Sequence, residues 1–316
     1  MAFADVKLLL KNQGYGTVGN HSRVKICHWT KSELKGEGGC YKSKFYGIKS
    51  HQCIQMTPTY TCNNACVFCW RDLRYHTQPA MEEGIDSPFD IVEGTIEAQK
   101  KLLSGFGGNE KTTDDKFERA MNPKHVAISL DGEPTLYPKL PELIREYKRN
   151  EFSTFVVSNG LLPEKIEKLL DEPPTQLYIS VDAPNEELFN LIDRPIIKDA
   201  WNGLYKTLSL LPKLKENTRT VLRFTLIKGL NMVHPEQWGE IIRLGQPMFV
   251  EVKAYMWVGM SRERLEQKNM PLHEEVKEFA KEIAQHSGYK LIDEHEPSRV
   301  VLLMKEDFEG RVMKFE

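Results

Sequence analysis

All six cysteines of this 316-residue chain lie between Cys27 and Cys69. Six independent placements would fall in the first 69 positions about once in ten thousand chains, so a local cause is required. Disulfides explain such crowding in small secreted domains, but here a large cysteine-free remainder can bury its own core. Ligation of a metal or cluster is the alternative. Three of the six form Cys62-Asn63-Asn64-Ala65-Cys66-Val67-Phe68-Cys69, thiols spaced Cys-x3-Cys-x2-Cys within one loop. Soft thiolates select iron–sulfur clusters or zinc. Three thiolates from one loop can hold three irons of a [4Fe–4S] cube and leave the fourth iron open to a small molecule. The competing reading is a structural zinc site completed by His51 or His76, although such sites usually pair their ligands as two short elements.

The rest of the chain supplies the frame for that loop. From residue 50 onward, β-rich runs alternate with stretches of helical period, the pattern of βα units and a parallel sheet. Strands are expected at His51–Met56, His125–Leu130, Ser153–Val157, Gln176–Val181, Val221–Ile227 and Phe249–Met256. Helices are expected at Phe89–Leu103, Pro141–Arg149, Pro163–Leu170, Ala200–Leu211, Pro235–Leu244 and Leu272–His286, several opening on proline. Six units are too few for a closed eight-fold barrel, so the predicted fold is α/β, an incomplete (β/α)6 TIM-like barrel with a lateral gap. Gly105–Asn122 reads as an inserted polar loop, and Val300–Lys305 as an added edge strand. By role the chain divides into a basic N-terminal extension (1–50), a barrel core (51–260) and a C-terminal helix and strand (261–316). No run of about 18 apolar residues exists to span a bilayer, and the helix-like start Met1–Leu10 lacks a signal pattern, so a cytoplasmic location is expected.

Polar residues then recur at successive strand ends. The second strand ends in Asp131-Gly132-Glu133-Pro134, the third in Ser158-Asn159-Gly160 and the fourth in Ser180-Val181-Asp182. Singly, each is an ordinary turn; barrel active sites nevertheless collect at this end of the strands. With the cysteine loop directly after the first strand, this constellation resembles the radical S-adenosylmethionine (SAM) superfamily. The resemblance implies a first [4Fe–4S] cluster on Cys62, Cys66 and Cys69, whose open iron binds the methionine end of SAM. It also assigns Gly132 and Glu133 to the SAM ammonium, although Asp131 replaces the family's first glycine. Ser158, Asn159, Ser180 and Asp182 fall to the ribose and carboxylate, and Phe68 to the adenine.

Cys27, Cys40 and Cys53 are separated by twelve residues each time, a spacing no single loop explains. They read either as a second [4Fe–4S] site in a wrapped segment or as three small buried hydrophobes. Residues 1–50 carry nine Lys or Arg against three acids, an excess of +6 that leaves −8 for the remainder. A solvated surface or a polyanion partner would each account for it. The N-terminal cysteines, the run through Cys69-Trp70-Arg71 and the Asp131 turn together resemble the archaeal-type tRNA 4-demethylwyosine synthases. That resemblance implies conversion of N1-methylguanosine at position 37 of tRNA-Phe, with pyruvate and SAM, into 4-demethylwyosine, a step towards wybutosine. Lys42 is then the candidate to hold pyruvate as a Schiff base, alone or beside the second cluster. Arg71, Arg74, Lys25 and Lys31, with Lys7, Lys11 and Lys35, are candidate phosphate contacts, and Trp29, Tyr41, Phe45 or Tyr75 candidate stacking partners. A monomer served by an external donor of flavodoxin or ferredoxin type is expected, as no flavodoxin-like domain precedes Cys27. The rival readings are a glycyl-radical activating enzyme, whose extra cysteines would follow the triplet, and a non-catalytic zinc-stabilised RNA-binding protein.

Overall fold

The computed structural model describes residues 13–81 and 84–315, so the start at Met1–Leu10, with Lys7 and Lys11, lies outside the described residues. The fold is mixed α/β with a parallel-rich sheet, in two compact units. One comprises the described residues up to Tyr60, Met81–Val156 and the tail from Val312; the other comprises Thr61–Ala80 and Val157–Arg311.

The first unit contains β1 (Tyr15–Val18), β2 (Ser22–Lys25), β3 (Cys53–Thr57), β4 (His125–Ile128) and most of β5 (Ser153–Ser158). β3, β4 and β5 pair in parallel, as the βα pattern predicts. β1 and β2 were not expected; they form an antiparallel hairpin whose second strand pairs antiparallel with β3. The turn is made at Gly19, whose φ of 55° suits glycine. Asn20 secures it by donating twice to the Asp86 carboxylate at 2.7 Å. Four-residue strands show too few alternations for periodicity to reveal them. Side chains alternate along β3, so Cys53, Gln55 and Thr57 share one face while Ile54 and Met56 are fully buried on the other. The helix Pro88–Leu103 is capped by Ser87 and buries Ile91, Val92, Thr95, Gln99 and Leu103 along one stripe.

Gly105–Asn122 departs from the expected loop: it contains a helix, Asp114–Met121, capped by Thr113. Only Ala120 of that helix is fully buried, against Ile26, Leu34 and Leu103, which is too narrow an apolar face to register as a helical period. The tail closes on this unit. Met313 donates to the Tyr46 carbonyl at 3.0 Å, and Phe315 stands edge-on to His125 with ring centroids 4.5 Å apart.

The second unit holds β6 (Gln176–Ser180), β7 (Arg219–Leu226) and β8 (Phe249–Ala254), paired in parallel. β10 (Val300–Met304) pairs antiparallel with β8, and β9 (Lys290–His295) pairs with β10. The strand expected at the edge is therefore interior, and the edge is β9. Composition explains the difference: Val-Val-Leu-Leu-Met is buried at every position, whereas Lys-Leu-Ile-Asp-Glu-His carries the charges that protect an open edge. The expected helices are present within a few residues, joined by an unexpected one at Glu186–Ile192, capped by Asn185.

Candidate active site

The Cys62–Cys69 loop is held by its own unit from several sides. At its start the Cys62 N–H donates to the His76 carbonyl at 2.9 Å, and the Cys62 carbonyl accepts from Gln78 at 2.9 Å. Its middle pairs with the chain just after Glu186–Ile192: Ala65 N donates to Asp193 O at 3.1 Å, Val67 N to Ile192 O at 2.8 Å, and Ile196 N to Asn63 O at 3.0 Å. Val67 anchors the loop in a cluster with Ile192, Ile227, Tyr255 and Leu265, against which Phe68 packs. At the end Arg264 donates from Nε to Val67 O at 3.1 Å and from its guanidinium to Cys69 O. The result is three half-buried thiols on a loop whose backbone is almost fully engaged.

The electrostatics demand a counterion. Burial pushes the Cys66 thiol far above its ordinary range, and neighbouring Asp193, Cys62, Cys69 and Asp182 push the same way. Cys66 Sγ donates to Asp193 Oδ1 at 3.3 Å. Burial also raises Asp193, with Asp182 adding to it, and brings Asp182 up to about 6 despite the hydrogen bond from Thr225. Three thiolates here would be stable only as ligands of a cationic centre, the condition a cluster or metal fulfils. Among the described residues no three His, Cys, Asp or Glu side chains converge as ligands of one ion. A cube, whose irons each take one thiolate, does not need them to. His51, one of the expected zinc ligands, has its ring 3.3 Å from a Glu33 oxygen.

The other residues assigned to SAM stand at strand ends as expected. Asn159 Nδ2 donates to Asn63 Oδ1 at 2.7 Å, tying the end of β5 to the cysteine loop, while buried Ser158 accepts from Gly160 N at 3.0 Å. Ser180 is half-buried at the end of β6, and the Asp182 carboxylate accepts from Thr225 N at 3.0 Å. In the first unit, Gly132 has a φ of 65°, the left-handed backbone for which glycine is suited. Glu133 is 2% exposed and accepts from Thr135 N at 3.0 Å and Oγ1 at 2.7 Å.

The first unit also answers the puzzle of the spaced cysteines. Cys27 and Cys40 are the N-cap residues of His28–Leu34 and Tyr41–Tyr46, and neither side chain makes a capping bond. Cys53 opens β3. Burial brings the Cys53 thiol up to about 12, with Cys27 and Cys40 raising it and Lys42 lowering it. Cys53 is thus within electrostatic reach of Cys27, Cys40 and Lys42. The half-buried Lys42 Nζ lies 5.8 Å from the centre of the Phe155 ring. Cys40 is pinned by its N–H donating to Ser50 Oγ at 2.9 Å, and Ser43 shares that hydroxyl at 2.9 Å.

The basic residues divide. Lys31 is exposed, and Arg74 is exposed and paired with Asp72 at 2.6 Å. Lys25 Nζ lies 4.3 Å over the Tyr15 ring. Arg71 is 8% exposed and stacks 3.6 Å over Trp70, which makes it a buried part of the site rather than a surface contact. Sequence reasoning passed over Asp193 and Arg264, which touch the cysteine loop directly. Their partners lie 127 and 195 residues away in the chain, and no local pattern marks them.

Known proteins match this arrangement along the whole chain. The family described as the radical SAM superfamily matches residues 56–242, and one described as wyosine base formation matches 244–305. A Pyrococcus horikoshii protein named S-adenosyl-L-methionine-dependent tRNA 4-demethylwyosine synthase is 47% identical, over 98% of this chain and 93% of its own. Its Pyrococcus abyssi namesake is 48% identical, over 96% and 89%. Among solved structures, TYW1 with a lysine-pyruvate adduct bound superimposes at a TM-score of 0.87 with 39% identity, covering 98% of both chains. An archaeal TYW1 crystal structure superimposes at 0.80 with 36% identity, over 99% of this chain and 100% of that one.

Proposed function

The chain belongs to the radical SAM superfamily, among its tRNA 4-demethylwyosine synthases, and from that premise we propose the chemistry of each of its sites. It is an enzyme of tRNA modification that serves a step of wybutosine biosynthesis with SAM and a [4Fe–4S] cluster. The finer reading is a carbon–carbon bond-forming lyase that joins N1-methylguanosine 37 of tRNA-Phe to pyruvate and yields 4-demethylwyosine. The observation that carries it is the strand register that puts Phe155, over whose ring Lys42 Nζ lies at 5.8 Å, on the same sheet face as Cys53.

Cys62, Cys66 and Cys69 hold the first cluster, and Glu133 takes the SAM ammonium. Cluster and SAM together supply a 5′-deoxyadenosyl radical able to take hydrogen from the base N-methyl group. Every other task falls to the chain's own residues. The Lys42 amine, once it has given up its proton, condenses with the pyruvate ketone and releases water, fixing the carbon to be attacked. Phe155, on the same sheet face as Cys53, excludes bulk water from that adduct. The N-methyl carbon radical bonds to the former ketone carbon, the adjacent C–C bond breaks so that the carboxyl leaves as the carbon dioxide radical anion with the unpaired electron, and the guanine exocyclic amine then displaces the Lys42 amine to close the ring. Cys27, Cys40 and Cys53 would hold a second [4Fe–4S] cluster, which would supply Lewis-acid chemistry for the keto acid. The tRNA splays nucleotide 37 out of its stack to reach these groups, with Lys25, Lys31 and Arg74 on the backbone and Arg71 stiffening the loop after Cys69. We extend the reading to a cytoplasmic monomer with an external flavodoxin- or ferredoxin-type donor. The segments 1–50, 51–260 and 261–316 then serve as second-cluster extension, SAM core and closing element.

The test is direct. Anaerobically reconstituted protein is incubated with SAM, pyruvate, reductant and tRNA bearing N1-methylguanosine, and the nucleosides are analysed by mass spectrometry. The tricyclic nucleoside is expected. Its absence while 5′-deoxyadenosine is released would refute the pyruvate assignment, and one zinc per chain with no iron would refute the whole reading.

A further inference from the structure

Asp193 is 3% exposed, and no hydrogen bond reaches its buried Oδ2. Its Oδ1 is satisfied only by the Cys66 thiol at 3.3 Å. The backbone around it is bonded to the cysteine loop through Ala65, Val67 and Asn63, so the segment that carries the carboxylate is fixed against that loop. Once Cys66 is an iron ligand, its sulfur has no hydrogen to offer, and Oδ1 loses its donor as well. A buried carboxylate left without donors is costly, and native proteins rarely tolerate one. The missing donors must then arrive with whatever sits on the cluster. Asp182 adds a second buried carboxylate close enough to be felt, but its Oδ1 is already bonded to Thr225 N. The locus therefore asks for a ligand that brings hydroxyl or ammonium hydrogens.

We propose that Asp193 is a cofactor-binding residue that accepts a hydrogen bond from a ribose hydroxyl of SAM, part of a role the family resemblance had given to Ser158, Asn159, Ser180 and Asp182. The proposal rests on the first-cluster reading above. SAM has the required chemistry: ribose hydroxyls, and an ammonium that falls to Glu133. Asp182, through Thr225, orients the neighbouring strand ends and supports Asp193 without touching the ribose.

The experiment uses the reconstituted holoprotein and measures SAM dissociation constants by titrating the electron paramagnetic resonance change of the reduced cluster. Asp193→Asn and Asp193→Ala are compared with wild type, with iron and sulfide counted for each. The expected result is normal iron content with SAM binding weakened about 10- to 100-fold in Asp193→Ala, the size of one lost bond to a charged group. Wild type should lose a similar factor for the 2′,3′-dideoxy analogue of SAM, and Asp193→Ala should lose little more with it. Unchanged SAM affinity in both variants would overturn the proposal, as would an equal extra loss for the analogue in Asp193→Ala. Low iron in both variants, with normal SAM affinity per cluster, would also overturn it and leave Asp193 as a support of the loop. Failure of the underlying reading looks different, because wild type itself would then show no SAM-dependent spectral change.

Discussion

Arg264 offers the sharpest test of how the cysteine loop is held. Its two donations, to Val67 O and Cys69 O, close the last half of the loop on the segment after β8. Hydrogen bonds from a charged donor contribute about 1.5–3 kcal/mol each, and the lower end applies because Arg264 is half-buried. Two such bonds, less what water restores to the freed carbonyls, leave roughly 2 kcal/mol holding the loop closed. At about 1.4 kcal/mol per factor of ten, that is an approximately 30-fold change in the ratio of closed to open loop. Arg264→Ala should therefore lose iron from the reconstituted protein to a chelator about 30 times faster, while its melting temperature stays close to wild type. Arg264→Lys should fall between, since an ammonium is a point charge that does not reproduce the guanidinium fork. The assay is the decay of the cluster's visible absorbance under excess chelator without oxygen. A rate within threefold of wild type for Arg264→Ala would refute the idea that this clamp governs retention of the cluster.

Three further outcomes are expected. Cys66→Ala should abolish reductive SAM cleavage, and unchanged release of 5′-deoxyadenosine from dithionite-reduced protein would contradict its place as a ligand. Cys40→Ala should halve the reconstituted iron and stop tricyclic base formation while sparing some abortive SAM cleavage; continued product would remove Cys40 from the second site. His125 supplies a pH dependence. Burial, with Lys49 and His51 nearby, depresses it from 6.5 to about 4, so the fold holds the neutral ring. The associated stability is fully present above pH 6.5 and is lost as pH falls towards 4, by roughly 3 kcal/mol at most. His125→Gln should flatten the urea midpoint between those pH values, and a midpoint as pH-sensitive as wild type would show that another group is responsible.

Much of this protein was legible in one dimension, for a definite reason. Cys62, Cys66 and Cys69 lie within eight residues of each other, so the chain's own reach keeps them together whatever surrounds them. The parallel strands within each unit were equally legible, because β-rich runs and helical periods alternate over enough residues to be told apart.

What sequence could not decide was everything that depends on distant partners. Cys53 comes within electrostatic reach of Cys27, Cys40 and Lys42 only because two short helices and β3 fold together, which spacing alone does not imply. Val300–Met304 reads as a strand, but its place between β8 and Lys290–His295 is settled by which surfaces must be buried. Asp193 and Arg264 are unremarkable letters until packing sets them against Cys66, Val67 and Cys69. Short-range geometry is written into the covalent chain, whereas long-range contact is decided by a balance of burial against chain entropy taken over the whole fold.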